Sequence, residues 1–135
     1  MKKFLSIKYS HGAFNFGMLV LRVAAGLLLA HHGFQKLIKF NVLKYQFMNF
    51  MHLGSTVSLS LIIIAELICG ILLIIGLFTR LACIPIIIGM CVVVFVASNA
   101  NIFAQGERGM IYLAATITIL FCGPGKVSLD GMIGK

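Results

Sequence analysis

Residues Val57 to Phe78 read VSLSLIIIAELICGILLIIGLF, 22 residues in which Glu66 is the one charged side chain. A helix of that length covers ~33 Å at ~1.5 Å per residue, enough to cross a bilayer core of ~30 Å. A carboxylate in the middle of such a span is costly and is expected to face a partner or a cavity rather than lipid. Glu66 is also one of only three acidic residues in the chain, with Glu107 and Asp130. The search for function therefore starts at Glu66.

The rest of the chain has the same character. Of its 135 residues 61% are hydrophobic and the mean hydropathy is +1.09, whereas apolar residues make up roughly half of a soluble domain. Apolar windows of about 17 to 25 residues place spans at Phe14 to Phe34, Val57 to Phe78, Leu81 to Phe103 and, shorter, Glu107 to Cys122. These segments predict an all-α integral membrane four-helix bundle that occupies residues 1–135 as one domain. No room is left for a soluble catalytic module, and no internal repeat rises above the apolar background.

Eleven Lys and Arg against three carboxylates give a formal charge of +8. The bases cluster at the ends of spans, where each can hold an anionic lipid headgroup at roughly 1 kcal/mol. That placement argues for a bilayer and against nucleic acid as the partner. Met1-Lys2-Lys3 with Lys8 resembles the basic start of a signal peptide, but the apolar run that follows is long and ends in His31-His32-Gly33. An uncleaved first span is expected. Lys2, Lys3, Lys8, Arg80, Lys126 and Lys135 fall on the side of the termini, and Lys36, Lys39, Lys44 and Arg108 on the other. The positive-inside rule then puts both termini in the cytoplasm.

Between the first two spans, Gln35 to Thr56 interleaves apolar residues such as Val42, Leu43, Phe47 and Leu53 with Lys44, Gln46, Asn49 and His52. This pattern reads either as an amphipathic interfacial segment across the mouth of the bundle or as a loop with apolar side chains. Thr79-Arg80 leaves almost no connection between the second and third spans, which predicts a tight antiparallel hairpin. The third span carries Pro85 near its start and ends in Ser98-Asn99-Ala100-Asn101, whose amides need partners at that depth. The fourth stops at Gly123-Pro124-Gly125.

At 100° per residue, Arg22, Ala25, Gly26, Leu29, His32, Gly33 and Lys36 share one face of the first helix, and His31 points away. Glu66, Cys69, Gly70, Leu73, Gly76, Leu77 and Arg80 share one face of the second. Depth counted from the span ends leaves Arg22 and Glu66 within an arginine's reach of one another, so these two are the expected buried ion pair. By the same count Glu107 comes level with His32 and Lys36 at the outer mouth, and Asp130 lies near Arg80 at the inner one. Arg22, His32, Lys36, Glu66, Asn99 and Glu107 are thus the candidates for a polar pocket. There a carboxylate and an imidazole can hydrogen-bond a quinone carbonyl or relay its proton. The opposing reading is that the pairs only fix helix register.

No metal-ligand spacing appears, because His31 and His32 diverge on a helix and His11 and His52 are remote. Cys69, Cys83, Cys91 and Cys122 form no CxxC pair and read as small packing residues. Motifs for phosphate, dinucleotide or nucleophilic chemistry are also missing from the sequence.

Taken in order, Arg22, the step His32-Gly33-x-x-Lys36, Glu66 with Gly70, the turn Gly76-Leu77-Phe78-Thr79-Arg80, Glu107, and the ending Gly123-Pro124-Gly125-Lys126-Val127-Ser128-Leu129-Asp130 resemble the DoxX family. The resemblance runs from about Leu19 to Asp130, and the loop from Phe40 to Thr56 carries no matching motif. It implies a four-helix protein of the bacterial inner membrane, from a family named after a subunit linked to a terminal quinol oxidase. DoxD relatives are associated with thiosulfate:quinone oxidoreductase, and other members are tied to oxidative stress and thiol-redox partners. The expected function is therefore a quinone-linked redox or oxidative-stress subunit that binds a lipophilic ligand inside the bundle. Its electron-carrying chemistry would come from a partner protein, since the chain has no cofactor motif of its own. The alternatives are a non-enzymatic membrane scaffold and a small transporter or lipid-binding protein, the last favoured by a homo-oligomer.

Overall fold

The computed structural model describes residues 5–45, 52, 54–97 and 107–134. Helix α1 runs over His11–Ile38 and a short α2 over Phe40–Leu43. Helix α3 covers Ser55–Ile75 and contains a π-helical turn at Ile64–Ile68. Helix α4 covers Thr79–Val92 and continues into a second π-helical turn at Val93–Ala97. Helix α5 covers Glu107–Cys122, and α6 is a single turn at Leu129–Ile133. All regular structure among the described residues is helical.

The first helix is longer than its apolar window at both ends. Ser10 starts it by accepting a hydrogen bond from the Ala13 amide at 3.1 Å, a side-chain cap upstream of the expected entry at Phe14. At the other end polar Gln35 and Lys36 stay helical, because an exposed helix tolerates them even where a lipid-based window stops. Among the described residues, α1 and α3 are the two helices long and apolar enough to cross a membrane, and Thr79–Phe95 is a shorter apolar helix. The expected third span extended to Phe103, and its last part, with Asn99, lies outside the described residues. So do residues 46–51 and 53 of the expected interfacial segment; of its described part, the end of α1, the whole of α2 and the start of α3 are helical.

Helix α1 packs on α3, α4 on α5, α1 on α5 and α3 on α4, an arrangement compatible with a four-helix bundle. Each helix turns one stripe inward. On α1 the buried residues are Met18, Arg22, Ala25, Gly26, Leu29 and Gly33; on α5 they are Gly109, Leu113, Thr116 and Ile119. Leu29, Leu73, Cys83, Ile86, Met90, Leu113 and Ile119 form the middle of the core. The opposite faces stay apolar: Leu27, Leu28, Ile64, Ile68, Ile71, Ile84, Ile88 and Phe121 are all exposed. A protein surface covered in large aliphatic side chains is suited to lipid and not to water.

Glycines set the register between α1 and α3. A Cβ added at Gly26 would lie 2.7 Å from the Gly70 carbonyl oxygen, one at Gly70 would lie 2.9 Å from the Ala30 amide, and one at Gly33 would lie 2.7 Å from the Leu67 amide. The two backbones touch, the geometry that small residues permit in membrane helix pairs. Gly26 and Ala30 therefore serve a contact inside the chain. At the end of α3, Gly76 adopts φ +74 and Leu77 and Gly76 both donate to the Leu72 carbonyl, which stops the helix. Phe78 follows at φ +47 and α4 begins at once, giving the tight hairpin.

Candidate functional site

The two ends of the helix pair use their charges differently. At the end near the chain terminus, Arg22 is only 2% exposed and donates to the Pro124 carbonyl at 2.6 Å and the Val127 carbonyl at 2.7 Å. The loop between α5 and α6 bends round the guanidinium with Gly123 and Gly125 both at positive φ. Gly76 closes the ring, since a Cβ there would lie 2.5 Å from Ser128 Cβ and 3.0 Å from an Arg22 nitrogen. Asp130 lies beside this loop, at the start of α6. Its Oδ1 accepts from the Phe78 amide at 2.8 Å and its Oδ2 from the Thr79 amide at 2.7 Å, while its own amide donates to the Gly76 carbonyl at 2.9 Å. A carboxylate bound to free amides at a helix start is a favourable cap. Burial pushes the Asp130 carboxyl up, but the hydrogen bonds from Thr79 and Phe78 and the charge of Arg22 outweigh it and hold the group below its ordinary value.

At the other end the charges surround a space. His32 and Lys36 of α1, Glu66 of α3, Met90 of α4, Val93 of the turn after it, and Arg108, Gly109 and Tyr112 of α5 line a cavity of about 220 Å³. Lys36 Nζ lies 2.6 Å from Glu66 Oε1, and the Glu66 side chain is 4% exposed against 27% for Lys36. The second carboxylate oxygen, Oε2, is buried with no hydrogen-bond partner among the described residues. The His32 ring meets the Tyr112 ring edge to face, with centroids 5.9 Å apart and planes at 79°. His31 turns outward to Gln35, 3.0 Å away.

The π-helical turn is centred on Glu66. Such a turn inserts an extra residue into the helix and widens it, and it commonly occurs at functional sites. The second π-helical turn supplies Val93 to the same cavity, and there Gly109 lets α5 approach: a Cβ on it would lie 2.8 Å from Val94 Cγ2. Two locally irregular helices and one glycine thus shape the space.

Three expected pairings are corrected. Glu66 pairs with Lys36, not with Arg22, because backbone contact at the glycines sets the register and brings Arg22 level with Gly76. Gly76 lies ten residues from Glu66 along α3, or ~15 Å. Asp130 binds the amides of Phe78 and Thr79 and not Arg80, whose side chain is exposed beside Gly123. Glu107 is exposed and does not line the cavity; its neighbour Arg108 does. His32, Lys36 and Glu66 come together as candidates, Arg22 is elsewhere, and Asn99 lies outside the described residues. Arg108 and Tyr112 were absent from the expected pocket. Their spacing of four, which stacks two side chains on one helix face, was the available signal.

The cavity presents one carboxylate, two cations, an imidazole and a phenol beside apolar Met90 and Val93. That set suits a small polar ring or head group with an apolar attachment. Among the described residues no group of three His, Cys, Asp or Glu side chains could hold a metal. All four cysteines are free, with Cys69 and Cys83 buried in the core and Cys122 exposed.

An uncharacterized membrane protein of Mycobacterium tuberculosis (strain ATCC 25618 / H37Rv) is 30% identical over 86 residues, which covers 53% of this chain and 53% of that protein. The chain thus matches about half the length of that relative. No solved structure matches. The family model for DoxX matches residues 17–99, a range that includes Arg22, His32, Lys36, Glu66 and the glycine seam between α1 and α3. With a match over more than half its length, together with helices whose outer faces are apolar, this chain is a membrane protein and belongs to the DoxX family.

Proposed function

We propose that this DoxX protein is a bacterial inner-membrane subunit that holds a quinone-type lipophile in the cavity of Glu66, Lys36, His32, Arg108 and Tyr112. Both termini then lie in the cytoplasm, and a redox or oxidative-stress partner protein exchanges electrons with the bound ring. One observation carries the reading: a buried carboxylate lines the cavity with one oxygen held by Lys36 and the other without a partner among the described residues. A buried acceptor left unmatched costs ~1–3 kcal/mol or more when charged, and such a group is retained where a ligand completes it. A scaffold whose charges serve only packing accounts for Asp130 and for the terminal nitrogens of Arg22, which bond to backbone. Arg22 Nε is likewise buried without a partner among the described residues, and what sets the Glu66 oxygen apart is that its side chain lines the cavity.

The test is extraction and mass spectrometry of lipophiles from protein purified in mild detergent, wild type and Glu66→Gln in parallel. The expected result is a quinone retained by wild type and depleted in the variant at equal recovery of folded protein. Bulk phospholipid alone in both would leave the scaffold reading in its place.

A further inference from the structure

The hydrogen-bonding chemistry at Glu66 also restricts which form of such a ligand the cavity takes. A carboxylate paired with an ammonium 2.6 Å away is an acceptor only, with its second oxygen still able to receive a hydrogen bond. A quinone ring presents carbonyl oxygens, which are acceptors as well. Two acceptors cannot bond, and bringing them together adds repulsion to desolvation. A hydroquinone ring of nearly the same shape presents O–H donors. Lys36, Arg108, His32 and Tyr112 do not separate the two forms: the two cations donate to the oxygen atoms of either, and the imidazole and the phenol each offer a donor as well as an acceptor. Glu66 is the acid among the lining residues, so the discrimination falls to its free oxygen.

We infer that the cavity selects the reduced, hydroxyl-bearing form of a lipophilic ring, with a ring O–H donating to Glu66 Oε2 and the second ring oxygen directed toward the cationic and phenolic donors. The inference rests on the functional reading above and adds the redox state and the atom that reads it. A hydrogen bond to a charged acceptor distinguishes partners by roughly ten- to hundredfold in affinity. Glutamine at the position offers both an amide donor and a carbonyl acceptor, so it can meet either form.

The experiment is calorimetric titration of the full-length protein in detergent with a short-chain naphthoquinone, with the same compound held reduced under anaerobic conditions, and with its dimethyl ether. The ether has the shape of the reduced ring without its O–H donors. Expected for wild type is binding of the reduced ring about tenfold or more tighter than the quinone, with the ether no better than the quinone. In Glu66→Gln the ratio between the reduced ring and the quinone should fall to near one. Equal affinity of wild type for reduced ring and quinone, or an ether that binds as well as the reduced ring, would overturn the inference while leaving the functional reading standing. Failure of wild type to bind any of the three compounds would overturn both. The ether comparison uses wild type alone, so the inference stays testable if Glu66→Gln does not fold.

Discussion

Arg22 and Glu66 are both buried ions on the inward faces of neighbouring helices, yet one is closed off and the other left open. Arg22 is only 2% exposed, with both terminal nitrogens bonded to carbonyls of a loop that wraps it, and its Nε, also buried, has no partner among the described residues and no place in the lining of the polar cavity. Glu66 lies at the opposite end of the pair with half its carboxylate unmatched among the described residues and a cavity beside it. A polar group whose partners are supplied by its own chain adds to stability. One that lacks a partner and borders a cavity lowers stability and is poised to bind. The difference separates a structural end from a candidate binding end in a protein with very few charges.

The largest effect is expected from opening the closed end. Arg22→Met removes two charge-assisted hydrogen bonds and strands the Pro124 and Val127 carbonyls, for an estimated loss of ~3–5 kcal/mol. Thermal unfolding in detergent should show little folded protein, while Arg22→Lys, able to reach one carbonyl at a time, should fall between. A Lys36→Met change comes next, because it leaves the Glu66 carboxylate buried without its cation. The expected loss is ~3 kcal/mol, and adding Glu66→Gln should return part of it. If Lys36→Met were as stable as wild type, the carboxylate end would not be under the strain described.

The glycine seam gives a smaller and sharply placed effect. Gly33→Val should destabilise by ~1–3 kcal/mol through overpacking, since its Cβ would meet the Leu67 backbone at 2.7 Å. Gly17→Ala on the same helix has nothing within 4 Å of the new atom and should be neutral or slightly stabilising. Equal effects at the two sites would contradict the register. The smallest effect concerns acid. The folded Asp130 carboxyl sits below its ordinary value near ~4, so its stabilisation is complete above that pH and is lost as pH falls through the lower folded value. Melting temperature of wild type should therefore decline toward that of Asp130→Asn below about pH 4. The variant itself should not show this part of the pH dependence.

Composition and periodicity were enough for helices with apolar outer faces and for the inward stripes, because burial in lipid or core selects side chains by polarity alone. Leu29, Leu73 and the glycines appear on the faces where a 100° rotation places them. His32, Lys36 and Glu66 were legible as pocket residues for the same reason. The pairing of charges was not. It depends on the offset between antiparallel helices, and a slip of two turns changes every partner without altering either stripe. Counting from the ends of apolar windows put Arg22 beside Glu66, whereas contact between Gly26, Gly70 and Gly33 and the facing backbones settled the offset and gave Glu66 to Lys36.

Local patterns in the chain carry which face of each helix is buried, since periodicity is a property of residues close in sequence. Tertiary structure decided which buried polar atoms meet. The loop that encloses Arg22 comes from more than 100 residues further along the chain, and the second Glu66 oxygen is unmatched among the described residues because the packed helices there bring no donor to it. Hydrogen bonds of this kind are short-ranged and directional, so they exist only once the backbones have been placed to within about an ångström.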